Sequence, residues 1–163
     1  MKTIVINLKK REDRLASFKT CHPNLNFEVF NAVDGEKINY GGLLSQGFDV
    51  CHNWIDPLLN TRLTKGEVGC FLSHWSIWQK CIERNEKVLI LEDDARLTNK
   101  FNLKEIDELT DTYGFLYLGW REMAKSVPLT DKLVRPVYPY WTLGYVITPE
   151  TAKILCNDAI KTN

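Results

Sequence analysis

The chain has 163 residues, and its 21 lysines and arginines balance 21 aspartates and glutamates, so its formal net charge is zero. With 44% apolar and 26% charged residues, the composition is ordinary for one folded domain and excludes a disordered, collagen-like or coiled-coil chain as the main account. Because basic residues are not in excess, the sequence argues against nucleic acid as a partner, and any phosphate must be bound by a local site.

Neither a membrane span nor a secretory signal is visible in the sequence. No stretch reaches the roughly 18 continuous apolar residues of a spanning helix. The 5 cysteines form no CxxC pair, which favours reduced thiols and a cytoplasmic location. Adjacent residues point in divergent directions, so the pairs Cys21–His22 and Cys51–His52 predict half-buried cysteines and surface histidines rather than a zinc site. The sequence does not indicate an oligomeric state.

The first half of the chain predicts two strands, a helix and a long loop. The β-branched run Thr3–Leu8 is typical of a buried strand, and a helix that ends at His22–Pro23 follows it. A second short strand at Phe27–Phe30 leads into the turn Asp34–Gly35. Residues 39–62 contain glycine and proline breaks and predict a long loop with one or two short helices.

In the second half, helices and strands alternate regularly. Apolar residues recur at spacings of three and four from Gly66, which predicts an amphipathic helix of about 19 residues. Lys87–Leu91 predicts a strand that is apolar on both faces. A polar helix near 102–110, strands at Phe115–Leu118 and Tyr145–Thr148, and a last helix opened by Pro149 complete the pattern. The alternation predicts an α/β fold whose mostly parallel sheet has helices on both faces.

Three adjacent carboxylates, Glu92, Asp93 and Asp94, directly follow the apolar strand. Ligands of open α/β sheets bind at the carboxyl ends of strands. Adjacent carboxylates repel one another unless a cation or hydrogen-bond donors offset their charge. Glu92 and Asp94 are alternate residues and can turn toward one hard divalent ion, with a solvated acidic turn as the alternative.

Two arginines follow the first predicted strand. Arg11 and Arg14 lie close to Asn7 and Leu8 at the start of a helix, where guanidinium groups and a helix N-terminus both favour phosphate oxygens. The alternative is a charged helix face on which the arginines pair with neighbouring acids. Together with the carboxylates, the arginines suggest a metal-bridged nucleoside diphosphate, with its base and ribose near the Asp-Gly turn.

Five segments of the sequence carry a further signal when they are taken together. They are IVINLKKREDRL (4–15), NAVDGE (31–36), LTKGEVGCFLSHWSIWQKCIE (63–83), KVLILEDDARL (87–97) and TLGYVITPETAKIL (142–155). These segments resemble glycosyltransferase family 25, which contains bacterial lipopolysaccharide glycosyltransferases and the catalytic domains of collagen galactosyltransferases. They cover nearly the whole chain in the family's order, and GEVGCFLSH followed by LEDD is quite specific.

The resemblance implies a GT-A-type nucleotide-sugar-binding fold and an inverting, metal-dependent transfer of a galactose- or glucose-type hexose from a UDP-sugar. Mn²⁺ or another divalent cation would be held by Glu92 and Asp94. The acceptor would be a glycan, as in lipopolysaccharide biosynthesis, or hydroxylysine of a collagen-like protein, as in collagen glycosylation. Matching the family motifs assigns UDP-sugar contacts to Asn7, Leu8, Arg11, Arg14, Asp34, Gly35, Lys65, Ser73, His74, Glu92 and Asp93.

The long helix carries several motif residues with different expected roles. Gly66 and Gly69 would permit close approach of the backbone to a nucleotide or strand. His74 is expected to make either a structural hydrogen bond or a donor-site contact. The aromatic residues of this helix are expected to be core, whereas the later Trp120, Tyr140 and Trp141 lie in regions suited to acceptor stacking or to covering the core.

The general base and the extent of the domain are less closely specified. An inverting transfer needs a general base on the face of the sugar opposite the leaving UDP. Glu122 is the first candidate for this base, and the alternative for Glu122 is a solvated loop carboxylate without a catalytic role. Asp158 is the second candidate. Transferases of this family usually continue past the helix near Pro149. We therefore expect residues 1–163 to be a single catalytic domain truncated at its C-terminus.

Two other functions stay open at this stage. One is a non-catalytic UDP-sugar-binding remnant, because binding and turnover use the same residues. The other, less favoured, is a receiver-like phosphoacceptor signalling module, since KVLILEDDARL is similar to the opening strand and acidic pocket of a receiver. Too few residues follow for a whole receiver, and the next strand, Phe115–Leu118, ends without a phosphorylatable aspartate.

Overall fold

Helices and strands alternate along the chain in the predicted order. The computed structural model describes residues 1–50, 53–57, 59–137 and 139–160. The elements are β1 (Lys2–Asn7), α1 (Glu12–Cys21), β2 (Glu28–Asn31), a 3₁₀ turn (Gly35–Lys37), α2 (Tyr40–Ser45), α3 (Lys65–Arg84), β3 (Val88–Glu92), α4 (Leu103–Tyr113), β4 (Phe115–Glu122), β5 (Val127–Pro128), β6 (Val134–Arg135), β7 (Pro139–Ile147) and α5 (Pro149–Ile160). β4 and β7 extend well beyond the predicted 115–118 and 145–148, because they pair with each other over most of their length.

Within the described residues, five strands form one sheet in the order β2-β1-β3-β7-β4. β1 pairs in parallel with β2 and β3, whereas β7 runs antiparallel to β3 and to β4. Four of these five strands therefore point the same way, which confirms the mostly parallel sheet. The short strands β5 and β6 pair with each other outside this sheet.

Both faces of the sheet are covered by helices, as predicted. On one face, Ile77 of α3 and Ala152 of α5 share a buried cluster with Ile90. On the other face, Phe18 of α1 is buried in a cluster with Leu89. Consecutive residues of β3 thus enter opposite cores, which is why this strand is apolar on both faces.

The topology opens a crevice at the carboxyl ends of β1 and β3. The connection from β1 to β2 contains α1 on one face, and the connection from β2 to β3 contains α3 on the other. The direction of strand order therefore reverses between β1 and β3, and ligands of α/β sheets bind at such points. Since β7 runs in reverse, its first residues lie at this same edge, beside the last residues of β3 and β4.

The start of α3 packs tightly on the 3₁₀ turn. A Cβ on Gly69 would lie 2.7 Å from the carbonyl oxygen of Val33, and a Cβ on Gly35 would lie 2.0 Å from that of Lys65. These distances leave no room for a side chain, so Gly69 does permit a close backbone approach, but to the 3₁₀ turn and the loop before it rather than to a nucleotide or strand. At Gly66, the nearest atom to a built Cβ is 3.7 Å away, so no close contact requires glycine there.

The prediction for the pair Cys21–His22 is wrong. Cys21 is exposed and His22 is buried. The imidazole lies 2.9 Å from the carbonyl oxygen of Phe18 through Nδ1, and Nε2 accepts a hydrogen bond from the amide of Leu97 at 3.1 Å. The ring is buried because it joins the end of α1 to the segment after β3. Cys51–His52 lies outside the described residues.

Four cysteines of the described part of the chain, Cys21, Cys70, Cys81 and Cys156, are free thiols. Among the same residues, no helix is long and apolar enough to cross a lipid bilayer.

Candidate active site

The acidic turn after β3 lies in the crevice between β1 and β3. The side-chain amide of Asn7 donates to Asp93 Oδ2 at 2.6 Å and to the carbonyl oxygen of Arg11 at 2.9 Å. Arg14 Nη2 lies 2.5 Å from Asp93 Oδ1 and 2.7 Å from Asp94 Oδ2. Asn7 and Asp93 are buried and Asp94 is exposed. Residues from β1 and α1 therefore position two of the three adjacent carboxylates.

Negative charge at this turn is only partly compensated. Burial raises the pKa of Asp93 above its usual value, and the adjacent carboxylates of Asp94 and Glu92 raise it further, although Asn7 and Arg14 oppose them. A raised pKa means that the ionised carboxylate is held less favourably than it is in water. A cation beside these carboxylates would therefore be stabilised.

Glu92 ends a chain of hydrogen bonds that starts at Trp78. The indole Nε1 of Trp78 donates to the hydroxyl of Tyr145 at 2.8 Å, and this hydroxyl lies 2.7 Å from His74 Nδ1. His74 Nε2 lies 3.2 Å from Thr142 Oγ1, which donates to Glu92 Oε1 at 2.7 Å. The chain joins α3, β7 and the end of β3.

The direction of this chain follows from its two ends. An indole N–H can only donate and a carboxylate can only accept, so Trp78 donates to Tyr145 and Thr142 donates to Glu92. The His74 tautomer with its hydrogen on Nε2 completes the chain between these two hydroxyl groups. Burial raises the pKa of Glu92, but the polar contacts of His74 and Thr142 outweigh it, and the pKa lies below its usual value. His74 thus makes the structural hydrogen bonds that were one of its two expected roles.

A first cavity, of about 280 Å³, lies over this crevice and is bounded by the end of β1 and the start of α3. We call it the crevice cavity. It brings together much of the predicted UDP-sugar site. The predicted contacts that line it are Leu8, Arg14, Asp34, Gly35, Ser73, His74, Glu92 and Asp93. Asn7 lies next to it, buried and bonded to Asp93.

Two predicted contacts lie elsewhere. Arg11 is exposed and makes a two-point ion pair with Asp13, through Nε and Nη2 at 2.9 Å each. This pair lowers the pKa of Asp13 to about 2 and matches the alternative of a charged helix face. Lys65 is exposed, with Nζ 3.7 Å from Glu36 Oε2. Neither basic residue lines the crevice cavity.

Sequence reasoning missed Lys10, which does line the crevice cavity. Its Nζ lies 3.0 Å from Asp34 Oδ2, and this contact lowers the pKa of Asp34. Asp34 also accepts from the amide of Glu36 and so caps the 3₁₀ turn. The signal was present in the basic run before α1, but the run alone does not tell which side chain faces the crevice.

Ser73 holds the loop that precedes the 3₁₀ turn. Its buried hydroxyl accepts from the amide of Val33 at 2.8 Å and donates to the carbonyl oxygen of Gly69 at 2.7 Å. The loop therefore has a fixed position against α3, and Asp34 and Gly35 are held at the wall of the crevice cavity.

A second cavity, of about 430 Å³, adjoins the first at Glu92 and Cys70; we call it the rim cavity. Its remaining wall comes from Glu67, Asp94 and the start of β7, residues 140–143. Trp141 in this wall has a backbone φ of 68°, a left-handed conformation that costs a tryptophan of order 1–3 kcal/mol. Sequence reasoning considered this residue for stacking but had no signal for its backbone conformation.

The side chains of the rim cavity suit a hard divalent cation. Glu92 and Asp94 both line this cavity, and carboxylate oxygens are the ligands that Mg²⁺ and Mn²⁺ prefer. The ligand atoms of Cys70, His74 and Glu92 also lie within 4.8 Å of one another. Desolvation and the charge of Glu92 raise the pKa of the Cys70 thiol to about 11, however, and both ring nitrogens of His74 already lie within hydrogen-bond distance of hydroxyl groups. The oxygen pair therefore fits a cation better than this mixed set.

The two candidate bases line neither cavity. Glu122 is exposed at the end of β4, where its carboxylate accepts from the amide of Ser126 at 2.7 Å, and this contact lowers its pKa. Asp158 is exposed on α5. Of the two, Glu122 lies at the sheet edge that contains the acidic turn, because β4 runs in the same direction as β3.

Known proteins resemble this chain over its whole length. The profile described as glycosyltransferase family 25 (LPS biosynthesis protein) matches residues 1–163. Procollagen galactosyltransferase 2 from Homo sapiens is 37% identical, over 93% of this chain and 26% of that protein. A glycosyltransferase 25 family member from Anopheles gambiae is 34% identical, over 94% of this chain and 28% of that protein.

A third relative has a different description. It is named "Probable inactive glycosyltransferase 25 family member 3", comes from Bos taurus, and is 33% identical over 96% of this chain and 29% of its own length. The chain thus spans about a quarter of the length of the curated relatives it matches. The mixed sheet flanked by helices is consistent with the Rossmann-like fold of glycosyltransferases.

Proposed function

The chain belongs to glycosyltransferase family 25, and from this premise we propose that it transfers a galactose- or glucose-type hexose from a UDP-sugar to an acceptor, with inversion at the anomeric carbon. The relatives named as galactosyltransferases support a hexosyl donor. Because those proteins are about four times longer than the matched region, their activity supports the proposal and is not carried over by the match alone.

The observation that carries the proposal is the position of Glu92, which lines both cavities. In the proposed complex, UDP occupies the crevice cavity, with its diphosphate beside Lys10 and Arg14 and its uridine toward Asp34 and Gly35. Arg14 is well suited to this role, because a guanidinium group binds phosphate oxygens at two points. It would stabilise the negative charge that develops on the departing UDP.

We further propose that Glu92 and Asp94 hold Mn²⁺ or another divalent cation. The position of both carboxylates in the wall of the rim cavity supports this, because carboxylate oxygens are the ligands that hard divalent cations prefer. When bound, such an ion supplies positive charge next to the diphosphate. Asn7 contributes by fixing the direction of Asp93, which leaves the neighbouring Asp94 exposed toward the rim cavity.

The proposal extends to the acceptor and to the general base. The family description points to a lipopolysaccharide-type glycan, and the procollagen galactosyltransferases point to a collagen-like protein, whose hydroxylysine is the acceptor that the resemblance implies. Glu122 stays the first candidate base because of its place at the same sheet edge, and Asp158 the second. If either is the base, Glu122→Gln or Asp158→Asn will abolish transfer without weakening UDP binding. A cytoplasmic location stays a prediction.

A second candidate function is binding of a UDP-sugar without turnover. The Bos taurus relative, whose name reads "probable inactive", supports this alternative. The receiver-like alternative has no comparable support, because the family profile covers residues 1–163.

Calorimetric titration with UDP tests the proposal. Removal of Mn²⁺ with a chelator, or Asp94→Ala, is expected to weaken UDP binding by about tenfold or more. Asp131→Ala, at an exposed acid outside both cavities, is the matched control and is expected to bind UDP normally. Equal affinity under all these conditions would refute the metal-bridged site.

Measurement of UDP release from UDP-galactose and UDP-glucose then separates an enzyme from a binder. Without an acceptor, water takes the hexosyl group as UDP departs; release above the uncatalysed rate, lost in Asp94→Ala, supports an enzyme that cleaves the donor. Binding without release supports the second candidate.

A further inference from the structure

Trp141 occupies an irregular position in the wall of the rim cavity. The pairing of β4 with β7 shifts between Gly119↔Gly144 and Arg121↔Tyr140, so that β4 advances by two residues while β7 advances by four. Trp141 lies in this bulge, with φ at 68° and 55% of its surface exposed. Bulges next to active sites serve to re-aim a side chain.

The neighbours of Trp141 hold it in this conformation. The hydroxyl of Tyr140 donates to the buried carboxylate of Asp56, and the hydroxyl of Thr142 donates to Glu92 Oε1. A left-handed backbone at a bulky residue persists only when the surrounding contacts impose it. Here those contacts anchor the residues on either side and leave the indole itself exposed at the cavity.

The side chain of Arg121 packs against the indole ring of Trp141 as a cation–π contact. The guanidinium carbon of Arg121 lies 5.5 Å from the ring centroid of Trp141. Arg121 does not line the rim cavity, so the guanidinium group packs on the indole from outside it. A ring with one bound cation attracts a second cation weakly, whereas a neutral apolar face still packs well on it.

The rest of the rim cavity is rich in hydrogen-bond acceptors. Glu67 lines it together with Trp141, beside Glu92 and Asp94, which are the proposed cation ligands. A pyranose ring matches such a wall, because its hydroxyl groups can donate to carboxylates while its C–H face packs on an aromatic ring. The volume of about 430 Å³ lies within the range of small-molecule sites.

We propose that Trp141 stacks on the hexosyl ring of the bound UDP-sugar and that the rim cavity is the hexosyl subsite. This inference rests on the proposed function. The crevice and rim cavities adjoin at Glu92 and Cys70. A nucleotide bound in the first therefore extends its attached sugar into the second. Trp141 contributes to the binding of the hexose and not to that of UDP.

The test compares UDP with UDP-galactose and UDP-glucose by calorimetry in the presence of Mn²⁺, without acceptor. Trp141→Ala is expected to weaken binding of both UDP-hexoses by about three- to tenfold and to leave the affinity for UDP unchanged. Trp141→Phe, which keeps an aromatic face, is expected to retain most of the affinity for UDP-hexoses. Trp54→Ala, at an exposed tryptophan outside both cavities, is the matched control.

Trp141→Gly distinguishes loss of the indole from a folding defect caused by backbone strain. Glycine adopts φ at 68° without strain, so this variant removes the indole and keeps the backbone. It is expected to show the same selective loss as Trp141→Ala.

Three results would overturn the inference, and they differ from one another. Equal weakening of UDP and UDP-hexose would show that Trp141 acts only on the general structure of the site. Unchanged binding of both UDP and the UDP-hexoses would show that Trp141 does not contact the hexosyl ring. Failure of the unmodified chain to bind UDP would refute the proposed function itself and remove the basis of the inference.

Discussion

The side-chain amide of Asn7 and the carboxylate of Asp93 are separated by 86 residues in the sequence, and they meet at 2.6 Å in the fold. This contact joins the carboxyl ends of β1 and β3 at the point where the strand order reverses. Because Asn7 is a neutral donor, it orients Asp93 without cancelling its charge. The acidic turn thus keeps its attraction for a cation while its direction is fixed.

Replacing Asn7 by alanine is expected to leave a buried carboxylate without its amide donor. The free energy of unfolding should fall by about 1–3 kcal/mol, the usual cost of an unsatisfied buried polar group. Asn31→Ala is the matched control, since Asn31 is the register partner of Asn7 on β2 but is exposed. Urea denaturation of both variants measures the difference, and equal losses would contradict a specific role for the Asn7–Asp93 bond.

Gly69→Ala is expected to force the start of α3 away from the 3₁₀ turn. The new Cβ would lie 2.7 Å from the carbonyl oxygen of Val33 and 2.9 Å from the amide of Gly35, both backbone atoms. We expect a loss of about 1–3 kcal/mol in stability, together with weaker UDP binding. Gly66→Ala on the same helix meets no close atom and should be neutral or slightly stabilising. Thermal denaturation distinguishes the two variants. If Gly69→Ala were as stable as the unmodified chain, the 3₁₀ turn would be able to move away from α3 without a loss of stability.

Tyr145→Phe removes the hydroxyl at the centre of the hydrogen-bond chain. Trp78 Nε1 then loses its acceptor and the buried His74 Nδ1 loses its hydrogen-bond partner. The expected loss of stability is about 1–3 kcal/mol. Tyr113→Phe, at a tyrosine with 45% exposure, is the control and should change stability by much less. If the two variants denatured at the same urea concentration, the chain would not be a structural feature of the site.

Lys87 supplies a pH-dependent contribution to stability. Its Nζ lies 2.6 Å from Asp107 Oδ1 and 2.8 Å from Asp111 Oδ1, which ties the start of β3 to α4. Burial lowers the pKa of Lys87, but the hydrogen bonds and charges of these aspartates outweigh it and the pKa is raised above 10.5. A raised pKa in the folded state means that the contribution is present below about pH 10.5 and is lost as the pH rises through the folded-state value.

Lys87→Met should therefore lower the free energy of unfolding at pH 7 by about 1 kcal/mol and flatten its decline above about pH 10.5. Lys104→Met is the matched control, because Lys104 is on α4 with 84% of its side chain exposed and only a 4.0 Å contact to Glu108. Denaturation series from pH 7 to pH 11.5 measure both effects. If the free energy of unfolding of Lys87→Met fell as steeply above pH 10.5 as that of the unmodified chain, other titrating groups would be responsible for the decline.

Local sequence patterns were sufficient for the order of the elements and for the location of the acidic turn. The apolar run before Glu92 predicts a strand on periodicity alone, and a strand end is where an α/β sheet binds its ligand. The same patterns failed at β4 and β7, whose extra length depends on mutual pairing through bulges. They also failed at His22, which is buried because two backbone groups, one of them 75 residues away, bond its ring.

The amino-acid sequence alone therefore specified the α/β class, the mostly parallel sheet, the family and the acidic turn, because hydrophobic periodicity and short motifs are local properties. Folding was needed to show that Lys10 rather than Arg11 lines the crevice cavity, that Glu92 lies between the two cavities, and that Trp141 stands exposed in a bulge. These features depend on the direction of side chains at element ends and on pairing between distant strands. Such contacts form only when the sheet and its helices pack together.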